Sequence, residues 1–444
     1  MARHRPVRIA VVGGGIAGIS AALNLSGSGR FQVTLLEQAP EIGGLCAPFR
    51  WNGLRMDRFY HILFPSDAAT AGLIKDVGLE SRLAWTAGRS GFYGKGRLVP
   101  FSSARDYLRF PFLSLPAKAR LGLGILNAAF LRPPKDLRDR AATEWMTAAF
   151  GREVTERFWR PLLRSKLGDA LERTSAHFLR TLVRRYYRGR RGAGRSESMG
   201  AVPGGYGPVL DASRAELLRR GVEIRTRAAV SAVSAGNGRP IVRINGESAS
   251  FEAVLLTVPN PEVLRLLNPP EGPFRRFLES GFYLGVAVVL LVLERSLSPY
   301  YVINLLDEDL PFTGVVESTN VLPPADFGGR RLVYLPRYLP GDDPHFRKTD
   351  AAIIDENLTG LSRLFPDFRA GDIILRDVFR ADRVQALFPP GAPPPPDGHR
   401  TAFPGVYLAN SSFVDDSTLN NDAVIRMSSR AVREILRDFG GEGR

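Results

Sequence analysis

The stretch Arg8–Leu25, RIAVVGGGIAGISAALNL, decides the fold of this chain. Its first part is a short apolar run, Ile9 to Val12, that predicts a buried strand, and its last part predicts a helix. The glycines between them have the GxGxxG spacing of a strand-to-helix turn that wraps a pyrophosphate. The stretch therefore predicts the start of a dinucleotide-binding βαβ unit.

Each glycine of this turn has a separate predicted role. We expect Gly13 to permit the tight turn, Gly15 to leave no Cβ between the backbone and the phosphates, and Gly18 to let the helix pack closely. Ile16 and Ala17 open the helix, where free N–H groups and the positive end of the helix dipole favour an anion.

A second predicted strand, FQVTLLE, ends on Glu37, roughly 20 residues beyond the glycines, where an acceptor for a ribose 2′-hydroxyl is expected. Gln38 follows directly and is predicted to line the same site. The alternative, a glycine turn that only packs a helix beside an incidental Glu, does not account for the complete strand, turn, helix, strand and acid order.

The run Glu37–Phe64, EQAPEIGGLCAPFRWNGLRMDRFYHILF, resembles the second fingerprint of the flavin amine oxidase superfamily. That superfamily includes monoamine and polyamine oxidases, protoporphyrinogen oxidase, phytoene desaturases and UDP-galactopyranose mutase. The resemblance implies FAD as cofactor, approached by the pair Gly43 and Gly44 with Leu45 beside it. The tetrapeptide Gly-Gly-Leu-Cys is closer to the Gly-Gly-Leu-Ser of the mutases than to the oxidases, many of which have Arg shortly after the pair.

The segment Asp57–Phe64 is similar in spacing to the D-x-G-G-H-V-x-F of the mutases, with Phe59 and Tyr60 in place of the two glycines. The resemblance implies that His61 lies close to the flavin, and we take His61 and Asp57 as catalytic candidates. A hydrogen-bonded structural histidine within an aromatic cluster is an equally open interpretation of the same residues. The oxidases often carry a lysine near flavin N5 that assists oxygen chemistry, and Lys166 is the candidate for that role.

The middle and the C-terminal part of the chain extend the resemblance. It implies that the backbone of Val230 touches the adenine and that Asn410, after the strand Gly405–Ala409, stands where relatives carry an acid. The acidic ligand is then shifted to Asp415 or Asp416. A helix beginning near Asn421 and including Ala423 is expected to direct N–H groups at the flavin pyrimidine.

The predicted fold class is α/β, with a Rossmann-type FAD-binding domain interleaved with a substrate domain made of a mixed sheet and helices. The FAD-binding domain is assigned to 1–67, 196–260 and 397–444, and the substrate domain to 68–195 and 261–396. A chain of 444 residues is too long for one compact core, in agreement with two domains.

The net charge is +15, and Arg180, Arg184 and Arg188 fall on one face of a helix predicted over Ser175–Arg188. Three interpretations of this stripe stay open: a solvated face, a site for a phosphorylated or carboxylated substrate, or a contact with an acidic membrane surface. Nucleic acid is not expected as a partner, because no groove-reading motif accompanies the charge.

Because Cys46 is the single cysteine, no intramolecular disulfide can form. It is most simply a small buried thiol, and the alternative, suggested by its place after Gly43 and Gly44, is a redox or covalent-flavin residue. The five histidines are dispersed, so the sequence predicts no metal site. The longest apolar runs, Tyr283–Leu293 and Leu121–Leu131, fall short of the roughly 20 residues that span a bilayer. With no signal peptide apparent, we expect a cytoplasmic protein, with peripheral attachment to a membrane left open.

The leading functional hypothesis is an FAD-dependent oxidoreductase that removes a hydride from a C–N or C–C bond of a small or lipid-like substrate. The alternative is a non-redox flavin isomerase, similar to UDP-galactopyranose mutase, acting on a nucleotide- or lipid-linked sugar. A non-catalytic scaffold stabilised by FAD is the third hypothesis.

Overall fold

A computed structural model describes residues 6–189, 198–236, 238–307, 309–414 and 420–439. The helices, in chain order, are α1 Ile16–Ser26, α2 Ala68–Asp76, α3 Ala104–Arg109, α4 Leu115–Phe130, α5 Ala142–Phe150, α6 Arg152–Val154, α7 Arg160–Leu167, α8 Ala176–Gly189, α9 Tyr206–Arg219, α10 Asn260–Leu267, α11 Pro273–Ser280, α12 Asp350–Leu364 and α13 Asn421–Phe439.

The strands, in chain order, are β1 Val7–Val12, β2 Phe31–Leu36, β3 Pro48–Trp51, β4 Leu54–Asp57, β5 Ala84–Ala87, β6 Ser90–Gly94, β7 Arg97–Pro100, β8 Ser198–Ala201, β9 Glu223–Arg225, β10 Val230–Gly236, β11 Arg239–Ile244, β12 Glu247–Ser250, β13 Ala253–Leu256, β14 Phe282–Leu293, β15 Val302–Leu305, β16 Gly314–Glu317, β17 Arg331–Pro340, β18 Ile373–Leu387 and β19 Val406–Leu408.

A five-stranded sheet in the order β19-β13-β1-β2-β9 has only parallel neighbours. Its central strands are mostly apolar and largely buried, as expected where helices cover both faces of a parallel sheet. Helices α1 and α13 pack against one another beside it, and Ser428 donates a hydrogen bond of 2.8 Å to the carbonyl of Ala17. The strands come from each of the three chain segments assigned to the FAD-binding domain.

A mixed seven-stranded sheet, in the order β18-β14-β17-β16-β15-β6-β7, forms the second layer. Neighbours in it are antiparallel except β15 and β6, which are parallel. Strand β14 lies between β18 and β17 and is buried along nearly its whole length. The predicted fold class, a Rossmann-type domain interleaved with a mixed-sheet and helical domain, is confirmed.

Helices α3 to α8 cover one face of the mixed sheet with a core rich in aromatic side chains, including Phe92, Phe110, Phe150, Phe158 and Trp159. Helix α8 agrees within one residue with the helix predicted over Ser175–Arg188. This helical layer and the parallel sheet enclose the space between them, and the candidate site lies there. No helix in the described part of the chain is both long enough and apolar enough to cross a membrane.

Candidate active site

One cavity of about 1560 Å³ runs from the glycine turn of β1–α1 to the helical layer. At its inner end Gly13, Gly15, Ile16 and Ala17 line it together with Glu37 and Gln38. The three loops that follow β1, β2 and β13 meet there because carboxyl ends of parallel strands share one edge of the sheet. The sequence-predicted start of the cofactor site is thus brought together as a single cradle.

The glycine turn leaves space where a phosphate would sit. A Cβ on Gly15 would have no neighbour nearer than the Cα of Gly44, 4.0 Å away. A Cβ on Gly18 would lie 1.9 Å from the carbonyl oxygen of Gly13, so Gly18 serves helix packing and does not line the cavity. Helix α1 has no side-chain cap, and its first N–H groups remain available for an anion.

The second glycine pair closes the cradle from the other side. Gly43 has φ +132° and Gly44 φ +56°, and the amide of Gly43 donates to the carbonyl of Gly14 at 2.7 Å. Arg58 holds this loop, because its guanidinium donates to the carbonyls of Gly44 and Ala47 at 2.7 and 2.8 Å. Gly43, Gly44 and Leu45 line the cavity. Arg58 was missed, although its position directly after Asp57 in the matched segment was a usable signal.

Glu37 braces the turn as well as lining the cavity. One of its carboxylate oxygens accepts from the amide of Gly14 at 2.6 Å, and the other accepts from the amide of Ala39 at 2.8 Å. The ribose contact predicted for Glu37 therefore involves a carboxylate whose orientation is already set by two backbone groups.

The C-terminal segment contributes Asn410 and Asn421 to the cavity. Asn410 links two strand ends, donating to the carbonyl of Val258 at 2.7 Å and to the side chain of Asn260 at 2.9 Å. Ala423 is buried outside the lining, as is Val230 at the start of β10, whose carbonyl accepts from Arg265. The contacts implied for Val230 and Ala423 thus have no counterpart in the cavity wall. Asp415 and Asp416 lie outside the described residues.

His61 lines the cavity next to the thiol of Cys46 and the ring of Tyr206. Its Nε2 is 3.6 Å from the Cys46 sulfur, and its ring centroid is 4.9 Å from that of Tyr206. Burial lowers the pKa of His61 to about 4, so the imidazole is neutral at pH 7. Burial raises the pKa of Cys46 to about 12, so this residue is a protonated thiol in the cavity wall.

Asp57 has a different position from the one its catalytic role requires, because it does not line the cavity. It is buried, and its carboxylate accepts from the amide of Tyr206 at 3.0 and 3.3 Å while its carbonyl accepts from the Tyr334 hydroxyl. A Cβ on Gly205 would lie 2.8 Å from this carboxylate. Asp57 is therefore a positioning residue that holds the start of α9, and burial raises its pKa to about 7.

The arginine stripe does not reach the cavity. Arg180 is buried, with its guanidinium donating to the carbonyl of Leu131, and Arg184 is half-buried outside the lining. Helix α8 instead lines the cavity with Phe178, Leu182, Val183 and Tyr187, and neither Arg180 nor Arg184 belongs to that lining. The side chain of Arg188 lies outside the described part of the structure. The predicted substrate contact of this stripe is thus not supported by its geometry.

Lys166, at the end of α7, lines the cavity. Tyr60 and Tyr338 also line it, and their hydroxyls are 2.9 Å apart. Tyr338 and Tyr301 were missed, because β15 and β17 are far from the flavin fingerprints in sequence and only the mixed sheet brings them to the site. No group of His, Cys, Asp and Glu that could hold a metal ion occurs among the described residues.

A parallel sheet, a glycine cradle at an uncapped helix N-terminus and a deep cavity behind it define a dinucleotide-binding protein of the flavoprotein type. The chain belongs to the flavin containing amine oxidoreductase family, whose model matches residues 16–416. Its cofactor is FAD, and it is a flavin-dependent enzyme of the oxidoreductase type.

Known proteins agree with this assignment. A 15-cis-phytoene desaturase from Arabidopsis thaliana is 21% identical, over 98% of this chain and 81% of its own length. A putrescine oxidase bound to putrescine has a similar structure, with a TM-score of 0.74 and 16% identity, covering 98% of this chain and 99% of the oxidase. A reduced UDP-galactopyranose mutase superposes with a TM-score of 0.72 and 16% identity, covering 99% of this chain and 96% of the mutase. At these identities the two structures establish the shared fold alone.

Proposed function

We propose that this enzyme desaturates a C–C single bond of a largely apolar, lipid-like substrate, in which one carbon loses a hydride to the flavin and its neighbour loses a proton to solvent. The observation that carries the proposal is the composition of the outer cavity wall. Among the described residues, the helical layer and its strands line that wall with large apolar side chains: Phe92, Phe101, Leu121, Ile125, Phe158, Trp159, Leu162, Phe178, Leu182 and Val183. A substrate binds to such a wall because its hydrocarbon is buried there, and not because polar groups are paired.

The charges in the cavity support a C–C bond over a C–N bond. Its acidic lining residues, within the described ranges, are Glu37, Asp67 and Asp422, and each one accepts a hydrogen bond from a backbone amide. The cationic lining residues are Lys166 and Arg383. An ammonium substrate would have to share these carboxylates with the backbone amides that they already accept from, and Arg383 is itself paired with Glu262 at 2.9 Å. This arrangement disfavours an amine, because the cationic group would compete with the backbone for its counter-ion.

FAD, when bound, supplies the hydride acceptor, and the chain provides orientation and exclusion of water. The glycine cradle and Asn410 hold the cofactor end, and the apolar wall keeps water from the reacting bond. His61 is neutral and serves as a hydrogen-bonding group. The paired hydroxyls of Tyr60 and Tyr338, 2.9 Å apart, form one polar point that can orient an otherwise apolar substrate.

The buried hydroxyl of Tyr301 lies in the same wall and has no hydrogen-bond partner among the described residues. Because this hydroxyl is enclosed by protein atoms, it is not a contact for substrate, and the hydroxyl pair of Tyr60 and Tyr338 supplies the polar contact in the wall. This supports a substrate with one polar function on a hydrocarbon body.

The mutase-like isomerase remains the alternative because His61 lines the cavity. A diphosphate sugar needs several charge-assisted hydrogen bonds. Arg180 and Arg184 do not supply them, which is why we favour the oxidoreductase.

The test is whether a candidate substrate reduces the flavin of the purified yellow holoenzyme without oxygen, measured as the loss of flavin absorbance. We expect a detergent-dispersed polyene precursor to bleach the flavin, and putrescine and UDP-galactose not to do so. Phe178→Gln should weaken bleaching by the polyene, and Leu218→Gln, an exposed leucine of α9, should not. Bleaching by the diamine alone would contradict the C–C assignment. Turnover of UDP-galactopyranose only by dithionite-reduced enzyme would establish the alternative.

A further inference from the structure

Helix α4 exposes an apolar face that nothing in the described part of the chain covers. Leu115 is 74% exposed, Leu123 68% and Phe130 55%. Leu126, at 44%, lies on the same face, because residues 115, 119, 123, 126 and 130 repeat at three- and four-residue intervals. Leucine and phenylalanine side chains this exposed on one helix form a contiguous patch and not scattered surface residues.

Helix α3 extends this face and is fixed to α4. Leu108 of α3 is 64% exposed. The buried ammonium of Lys118 on α4 donates to the carbonyl of Leu108 at 2.7 Å, and the Tyr107 hydroxyl donates to the carbonyl of Lys118. The two helices therefore present one rigid surface, called here the α3–α4 face.

The α3–α4 face is basic as well as apolar. From residue 104 to residue 135 the chain carries six cationic side chains and one acidic side chain, Asp106. Arg105, Arg109, Arg132 and Lys135 are exposed beside the apolar residues. Asp106 caps α3 through the Ser102 and Ser103 amides, and Glu153, near the start of α4, is engaged by Ser114 and Arg157.

The same face reaches the cavity. Leu126 is both exposed and part of the cavity lining, and the ring of Phe130 meets that of Tyr187, another lining residue, at 5.4 Å. Leu121 and Ile125 on the inner side of α4 line the cavity as well. Helix α4 thus has an exposed outer apolar face and an inner apolar face that lines the cavity.

We propose that the α3–α4 face docks on the surface of an anionic lipid bilayer, with the apolar side chains of α4 in the interfacial region and the surrounding arginines and lysine at the headgroups. An apolar helix face with a cationic border fits this surface, since burial of hydrocarbon and attraction to anionic lipid act together. The docking is independent of the reaction at the flavin. The cavity next to α4 then opens toward the bilayer.

The experiment is flotation of the full-length holoenzyme with vesicles of phosphatidylcholine alone or mixed with phosphatidylglycerol. We expect binding to the mixed vesicles and weaker binding to the neutral ones, with a decrease at high salt. The double variant Leu115→Gln/Leu123→Gln should lower binding to mixed vesicles by about tenfold or more. Leu218→Gln, with a leucine 48% exposed on α9, is the matched control and should bind like the wild type.

Flavin absorbance and the bleaching assay on detergent-dispersed substrate distinguish docking from chemistry. Both should be unchanged in the double variant, because Leu115 and Leu123 do not line the cavity. Absence of binding to mixed vesicles, or equal loss in the Leu218 control, would overturn the proposal. The proposal would also be overturned if the wild type formed a dimer, the double variant were a monomer, and neither bound vesicles. The face would then join two copies of the chain. Vesicle binding without any bleaching would leave the docking intact and count against the proposed function.

Discussion

Replacing Gly15 by valine separates cofactor binding from folding more cleanly than any other change in the cradle. The backbone of Gly15 has φ −72° and ψ −180°, a conformation that valine adopts without strain. An added Cβ has no neighbour within 4 Å except the Cα of Gly44 at 4.0 Å. The apoprotein should therefore fold normally, and the side chain should occupy the space of the pyrophosphate.

The size of the effect follows from the lost contacts. The uncapped first turn of α1 offers backbone N–H groups to the phosphates, and hydrogen bonds to charged groups contribute about 1.5–3 kcal/mol each. Losing two of them costs about 3–6 kcal/mol, which corresponds to roughly 10²- to 10⁴-fold weaker FAD binding.

The assay is the ratio of flavin to protein absorbance after purification, followed by titration of the apoprotein with FAD. Gly15→Val should be colourless and should melt like the wild-type apoprotein. Gly371→Val, at an open glycine outside the cavity, should stay yellow. Gly18→Ala should instead fail to fold, because its Cβ would lie 1.9 Å from the Gly13 carbonyl. Full FAD occupancy in Gly15→Val would refute this reasoning.

Other predictions follow from the wall of the cavity and from its surroundings. Burial raises the pKa of Asp57 to about 7, above the value of about 3.9 in the unfolded chain, so stability should fall by up to about 4 kcal/mol as pH rises from 4 to 7. In Asp57→Asn, the free energy of unfolding in urea should lose this difference between pH 5 and pH 8. A difference as large as that of the wild type would contradict the prediction. Lys166→Met should slow reoxidation of the reduced flavin by air about tenfold or more without loss of FAD, as stopped-flow absorbance can measure. Arg184→Ala should leave the KM for substrate unchanged. A salt-sensitive increase in that KM would show that the arginine stripe contacts the substrate. Acid precipitation should release all flavin from the wild type and from Cys46→Ser alike, since a thiol with a pKa of about 12 does not attack the flavin.

The sequence by itself determined the cofactor end of this protein. GxGxxG, the acid at Glu37 and the pair Gly43-Gly44 are local patterns whose spacing reflects what a backbone must do to approach a pyrophosphate. The structure places Gly15, Glu37 and Gly44 around one cradle, because the turns after parallel strands meet at one edge of the sheet.

The substrate end was decided only by tertiary structure. Arg180 and Arg184 lie on one helix face, as the spacing predicts, but the spacing does not say which residues of α8 reach the cavity. In the structure Phe178 and Leu182 line it, while Arg180 is buried against the carbonyl of Leu131. The role of Asp57 changed for a similar reason: its partner, the amide of Tyr206, is 149 residues away. Side chains that build a cavity wall from distant strands and helices leave no local pattern, since only packing brings them together.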